Sequence, residues 1–300
     1  MTTTFGFVSH RHIWFAFSAI TITASIVALA LFGLKFGIDF TGGSLLEVKY
    51  SEPVPTVESI SSALSSAGFE SPTIQASEGS RYVIRLAALS EEQHQKAIEV
   101  LRIAESTPAE LRFDSIGPVI GSELRTKSLI GLIVTLLLIG AYIAFAFRKV
   151  SRPVSAWKYG LLTILCGFHD VIIPLGVFAV LGHFFHWEIG ASFIAAILTV
   201  LGYSISDTVV VFDRTRENLQ HHSEETFDLT VEKSIRQTFV RSVNTSMTTL
   251  LALTAILIFG GESTRPFALA LIIGIAVGTY SSIFIASPAL VAWESRKLKA

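Results

Sequence analysis

The stretch Ile189–Phe212, IGASFIAAILTVLGYSISDTVVVF, decides how this chain is to be read. As a helix rising about 1.5 Å per residue it is long enough to cross a hydrocarbon layer about 30 Å thick. It carries one charge, Asp207. A carboxylate inside such a span is costly unless it is protonated, paired or facing a wet cavity, so by default it marks function. Tyr203, Ser204 and Thr208 stand at i−4, i−3 and i+1 from it, a polar stripe that must face protein or water. Asp207 lies about 9 Å inside Asp213, the expected inner end of the span.

Five further stretches pass the same length and hydropathy test: Ile13–Leu34, Leu129–Phe147, Trp157–Gly182, Asn244–Gly260 and Phe267–Trp293. Composition agrees, since 51% of the 300 residues are hydrophobic and 16% charged, too apolar for an ordinary soluble domain. A net charge of −1 lacks the concentrated basic surface a nucleic-acid binder needs. The single cysteine, Cys166, allows neither an internal disulfide nor a zinc-thiolate cluster.

Six crossings place both termini on one side of the membrane. Basic residues gather in the tail before Ile13, in Arg148–Lys158 (Lys149, Arg152), in Asp213–Val243 (Arg214, Arg216, Lys233, Arg236, Arg241) and in Glu294–Ala300 (Arg296, Lys297, Lys299), whereas the two short opposite loops hold only Arg265. The positive-inside rule therefore puts both termini in the cytoplasm. Ala28-Leu29-Ala30 resembles a signal-peptidase site, but an apolar run of about 22 residues exceeds the usual 7–15-residue core of a signal peptide, so the first span is expected to be a retained anchor.

Between the first two spans the composition turns globular. The expected organisation is a cytoplasmic tail and first helix over 1–34, an outer α+β domain over 35–127, and a five-helix membrane domain over 128–300. In the outer domain Ser44–Tyr50, Pro72–Ala76, Arg81–Ala87 and Leu111–Ile116 read as strands. Thr56–Ala67 reads as a helix stopped by Gly68, and a second helix starts at Ser90 with a Ser90/Gln93 capping box. Strand-helix-strand-strand-helix-strand is the ferredoxin-like order. No His, Cys or carboxylate cluster at ligand spacing occurs there, so neither a metal nor a cofactor is expected.

Two more membrane features stand out. Arg241, Asn244, Thr245, Thr248 and Thr249 follow helical spacing at the cytoplasmic end of the fifth span, so Arg241 and Asp207 could meet at similar depth. Burial favours the neutral carboxyl and a guanidinium favours the charged one, so a small helix movement would bind or release a proton. A static ion pair that fixes helix register is the plain alternative. His169 and Asp170 lie in the middle of the third span, one turn before Pro174, and project about 100° apart. Asp170 is a second candidate for a proton path or a helix contact. Gly274 and Gly278 form a small-xxx-small pair for close helix packing.

GIDFTGG at Gly37–Gly43, FHD at Phe168–Asp170, GPVIGSEL at Gly117–Leu124, GYSISDTVVVFDRTREN at Gly202–Asn218 and the polar run Gln237–Thr249 together resemble the SecF family of protein-export membrane proteins, in the family's order along nearly the whole chain. The resemblance implies a subunit of the resistance-nodulation-division superfamily in the inner membrane. It implies pairing with SecD beside the SecYEG channel and the SecA ATPase, using the proton-motive force to complete export of a preprotein. It also places the proton-linked aspartate at Asp207 and the arginine at Arg241. Where the family often has Asn before that aspartate this chain has Ser206, a hydroxyl able to bond the carboxylate. Asp39, Gly42 and Gly43 shape the turn into the outer domain, the glycines permitting unusual backbone angles.

Other classes fit less well. An intramembrane aspartyl protease would use Asp170 and Asp207, but Asp207 lacks the glycine-x-glycine-aspartate context, so no enzyme is expected. A small-molecule or lipid exporter of the same superfamily usually carries two large outer domains and twelve spans. A structural scaffold leaves Asp207 without a role.

Overall fold

A computed structural model describes residues 6–77, 79–103, 106–148, 154–221 and 226–297, so Lys149, Arg152 and Lys299 lie outside the described residues. The chain divides into two compact units, Phe36–Leu129 and Met1–Lys35 with Ile130–Ala300. The first span is helix α1 (Arg11–Phe32), closed by Gly33 at φ +65°, whose N–H bonds the Leu29 carbonyl.

The smaller unit begins with the one-turn helix α2 (Ile38–Thr41), then β1 (Gly43–Lys49), α3 (Val57–Ser66), β2 (Thr73–Ser77), β3 (Arg81–Leu86), α4 (Glu91–Val100) and β4 (Ala109–Ile116). The sheet order is β2-β3-β1-β4 with every neighbour antiparallel. Alternation explains its buried face: Leu46 and Val48 of β1 and Tyr82, Ile84 and Leu86 of β3 point into one core with Ile60 and Leu64 of α3 and Ala97 of α4. Local signals set the helix starts. Thr56 accepts from the Ser59 N–H at 3.3 Å, and Ser90 with Gln93 forms the expected capping box. The buried Tyr50 hydroxyl donates to the Leu101 carbonyl at 2.8 Å, and burial, then neighbouring Tyr82, pushes its pKa up to about 12.

The remaining elements are α5 (Pro118–Ala146), α6 (Ala156–Phe185), α7 (Ala191–His221), α8 (Phe227–Phe259), α9 (Arg265–Ser281), a π-helical turn at Ser282–Ala286, and α10 (Ser287–Lys297). Six helices are long and apolar enough to cross a membrane: α1, α5, α6, α7, α8 and the continuous α9–α10. Three of them extend well past the apolar runs. α5 starts at Pro118 rather than Leu129, since proline suits a first helical turn. The basic stretch Asp213–Val243 is nearly all helix, in the ends of α7 and α8. Ion pairs one turn apart support these ends: Asp213–Arg216 at 2.6 Å, Arg214–Glu217 at 2.9 Å and Glu232–Arg236 at 2.9 Å.

Small residues let the membrane helices approach. A Cβ on Gly278 would stand 2.6 Å from the Ser204 Cβ, and one on Gly176 would stand 2.5 Å from the Ser25 Cα. These glycines seat α9 on α7 and α6 on α1. The C-terminal end is tied back by a buried ion pair, Lys158 Nζ to Glu294 Oε2 at 2.7 Å, beside the edge-on Trp157 and Trp293 rings.

Candidate functional site

Asp207 is buried, 8% exposed, on α7. Its Oδ1 accepts one hydrogen bond, from Ser242 Oγ of α8 at 3.1 Å, and its Oδ2 has no hydrogen-bond partner among the described residues. Arg241 does not meet it. Among the described residues the two form no ion pair, and Arg241 is exposed together with Asn244 and Thr245, whose hydroxyl bonds the Arg241 carbonyl at 2.9 Å.

The correction has a geometric cause. The residues α8 buries include Thr230, Ser234, Thr238, Ser242 and Ser246, a four-residue ladder of small hydroxyls, beside Val231, Ile235 and Leu253. That ridge allows close packing, and Arg241 stands about 100° around the helix from Ser242. Ser246 Oγ and Thr279 Oγ1 meet at 2.6 Å, and Asn218 Nδ2 donates to Ser234 Oγ at 2.9 Å. The ladder was legible as a repeat of Ser and Thr every fourth residue, but a stripe beginning with a charge drew the reading instead.

The polar stripe expected around Asp207 is divided. Ser204 and Thr208 are buried, Tyr203 is half-buried with its hydroxyl 3.3 Å from Thr249 Oγ1, and Thr208 bonds the Ser204 carbonyl at 3.2 Å. Ser206 is exposed, so the hydroxyl on Asp207 comes from Ser242 across the helix interface and not from the preceding residue.

A second buried carboxylate is the centre of a larger cluster. Asp170 is 0% exposed. Its Oδ1 lies 2.8 Å from His169 Nδ1, and its Oδ2 accepts from Ser204 Oγ of α7 and, at 2.8 Å, from Ser281 Oγ of α9. The two adjacent side chains diverge from the helix axis as expected, yet the imidazole curls back so that both groups meet. Its Nε2 is 3.1 Å from Ser18 Oγ of α1; Ser18 donates to the Tyr280 hydroxyl at 3.4 Å, which donates to the Trp14 carbonyl at 2.9 Å. Pro174 lacks the N–H that would bond the Asp170 carbonyl, and the π-helical turn begins directly after Ser281. Ser18, Ser281 and Tyr280 escaped the sequence reading because isolated hydroxyls in apolar spans carry no spacing signal.

Asp170 and Asp207 share no hydrogen bond, so they are not a carboxyl dyad sharing a proton. No His, Cys, Asp and Glu group among the described residues is arranged to hold a metal. In the smaller unit Asp39 stands in the first turn of α2, and Gly42 at φ +74° leads into Gly43 at φ +122°. A Cβ on Gly42 would stand 2.5 Å from the Pro118 Cα, and one on Gly121 would stand 2.8 Å from the Gly42 nitrogen. GIDFTGG and GPVIGSEL thus lie backbone against backbone, which only glycine permits at φ values this positive.

A six-span helical protein with a small α+β unit after its first span, and carboxylates buried among its helices, is a transporter-type membrane protein. Comparison with known proteins makes the class specific. The description "Protein export membrane protein SecD/SecF, C-terminal" matches residues 96–296, and "SecD/SecF GG Motif" matches residues 27–54. Protein translocase subunit SecF of Thermobaculum terrenum is 42% identical, over 96% of this chain and 94% of that protein. The SecF of Pseudomonas aeruginosa is 36% identical over 96% of this chain and 91% of its own length. The crystal structure of SecDF from Thermus thermophilus, a translocon-associated membrane protein, superposes with a TM-score of 0.83 at 35% identity, covering 98% of this chain and 39% of that one. The chain belongs to the SecF family of protein-export membrane proteins.

Proposed function

We propose that the chain serves protein export in the cytoplasmic membrane as the SecF partner of SecD, with both termini in the cytoplasm and a ferredoxin-like unit on the outer side. Beside SecYEG and after the ATP-driven step of SecA, the pair draws on the proton-motive force to move a preprotein outward and prevent its return. The coupling ion is the proton, and no cofactor takes part. The observation that carries this reading is the buried Asp207, with one carboxylate oxygen held by Ser242 and the other open to a proton.

Proton binding turns Asp207 from a pure acceptor into a donor and removes its charge. Release restores the charge and draws a cation toward it. Rotation of α8 by about 100°, one residue, replaces Ser242 by Arg241 at the carboxylate. The driving force suffices, since one charge crossing 100 mV yields about 2.3 kcal/mol. Partnership with SecD is supported by the Thermus thermophilus relative named SecDF, of which this chain matches 37% of the length. The outward stripe of Arg241, Asn244 and Thr245 on α8, with exposed Gly202 and Ser206 on α7, offers SecD a polar, small-residue face.

The test is preprotein translocation into inverted membrane vesicles containing SecD, with wild type or Asp207→Asn at matched assembly. Loss of the force-dependent increment is expected. An unchanged increment would leave Asp207 structural and the chain a scaffold.

A further inference from the structure

The hydrogen bonds around the FHD motif run in one direction, and that direction counts protons. A carbonyl only accepts, so the Tyr280 hydroxyl spends its single hydrogen on Trp14, at 2.9 Å. Tyr280 must then accept from Ser18, which commits the only hydrogen of Ser18 at 3.4 Å. Ser18 can therefore only accept from His169, and Nε2 at 3.1 Å must carry a hydrogen. On the far side Asp170 Oδ2 receives Ser204 and Ser281 and is filled. One position remains, the 2.8 Å line between His169 Nδ1 and Asp170 Oδ1.

We propose that the His169–Asp170 pair is a proton-storing dyad, neutral as a unit, holding one proton between Nδ1 and Oδ1 and sensing the packing of α1, α7 and α9 against α6. With the proton on Nδ1 the pair is imidazolium and carboxylate. With the Nδ1–H bond broken and an Oδ1–H bond formed, it is imidazole and carboxylic acid. The pair has no net charge in either form, which suits a site 4% exposed at His169 and 0% exposed at Asp170.

The coupling runs through Ser204, which donates to Asp170 and lies one turn before Asp207 on α7. Gly278 of α9 lets Ser204 approach this closely. A shift of α7 that follows proton exchange at Asp207 withdraws Ser204, strips one donor from the carboxylate and sends the shared proton from Nδ1 to Oδ1. The other titratable groups around the dyad are Cys166 one turn earlier on α6, Tyr280 on α9 and, through Ser204, Asp207 on α7. The coupling, though not the dyad itself, rests on the function proposed above.

Nitrogen-15 histidine NMR of the SecD complex in lipid bilayers reads the dyad directly, with His169→Gln assigning the signal. A protonated Nε2 and a hydrogen-bonded Nδ1 are expected. Tyr280→Phe removes the acceptor that fixes the Ser18 hydrogen, so the Nε2–Ser18 bond should weaken and the Nε2 signal shift while Nε2 stays protonated and the protein stays folded. An unprotonated Nε2 in the wild type, or an unchanged Nε2 signal in Tyr280→Phe, would overturn the dyad. In vesicles, Asp170→Asn should lose the force-dependent increment as Asp207→Asn does. Loss in Asp207→Asn alone would remove the coupling and leave the functional reading standing. Loss in neither would remove both, while the NMR still decides the dyad.

Discussion

Two carboxylates lie buried in adjacent spans, and they are treated in opposite ways. Asp170 is met by three side chains, from α6, α7 and α9, whereas Asp207 is met by one, from α8, and has a bare Oδ2. A carboxylate held by side chains from three helices ties those helices together. One left half-engaged in the same bundle is positioned to change state, because the atom that would receive a proton has nothing to give up first. The difference separates a carboxylate that ties three helices together from one whose free oxygen can take up a proton.

The contrast can be broken most severely at its saturated end. Asp170→Ala should cost about 3–5 kcal/mol, since it leaves His169, Ser204 and Ser281 without a partner, and thermal unfolding in detergent micelles should record it. Gly278→Val acts on the same carboxylate from behind by wedging α9 away from Ser204. Its expected cost is about 3 kcal/mol, with the His169 NMR signals displaced. Ser242→Ala removes the sole donor of Asp207 and should destabilise by about 1.5 kcal/mol. Combined with Asp207→Asn, that cost should shrink, and a double-mutant cycle measures by how much. Arg241→Ala should leave stability within about 0.5 kcal/mol, because its side chain is exposed, while abolishing force-dependent translocation. A destabilisation of several kcal/mol would instead mean that Arg241 already reaches Asp207.

Legibility followed the length of the pattern. Six apolar stretches, the strand and helix order of the smaller unit and the Ser90/Gln93 capping box are statements about runs and spacings, and the structure repeats them. Helix ends were less legible, because α5, α7 and α8 continue through polar sequence where ion pairs one turn apart replace hydropathy. Both buried aspartates could be named from their surroundings, but their partners could not. A hydrogen bond across a helix interface depends on rotation about the helix axis, and one residue of error, Arg241 for Ser242, changes an ion pair into a hydroxyl contact. Ser18 and Ser281 lie far from Asp170 along the chain, so only the packed bundle brings them to it.

The ion pair between Lys158 and Glu294 also orders events in time. Lys158 emerges from the ribosome with the third span, and Glu294 is made only after the last. Until the final helix arrives, an ammonium destined for burial has no counter-charge and must stay near the aqueous boundary, holding the end of the third span there.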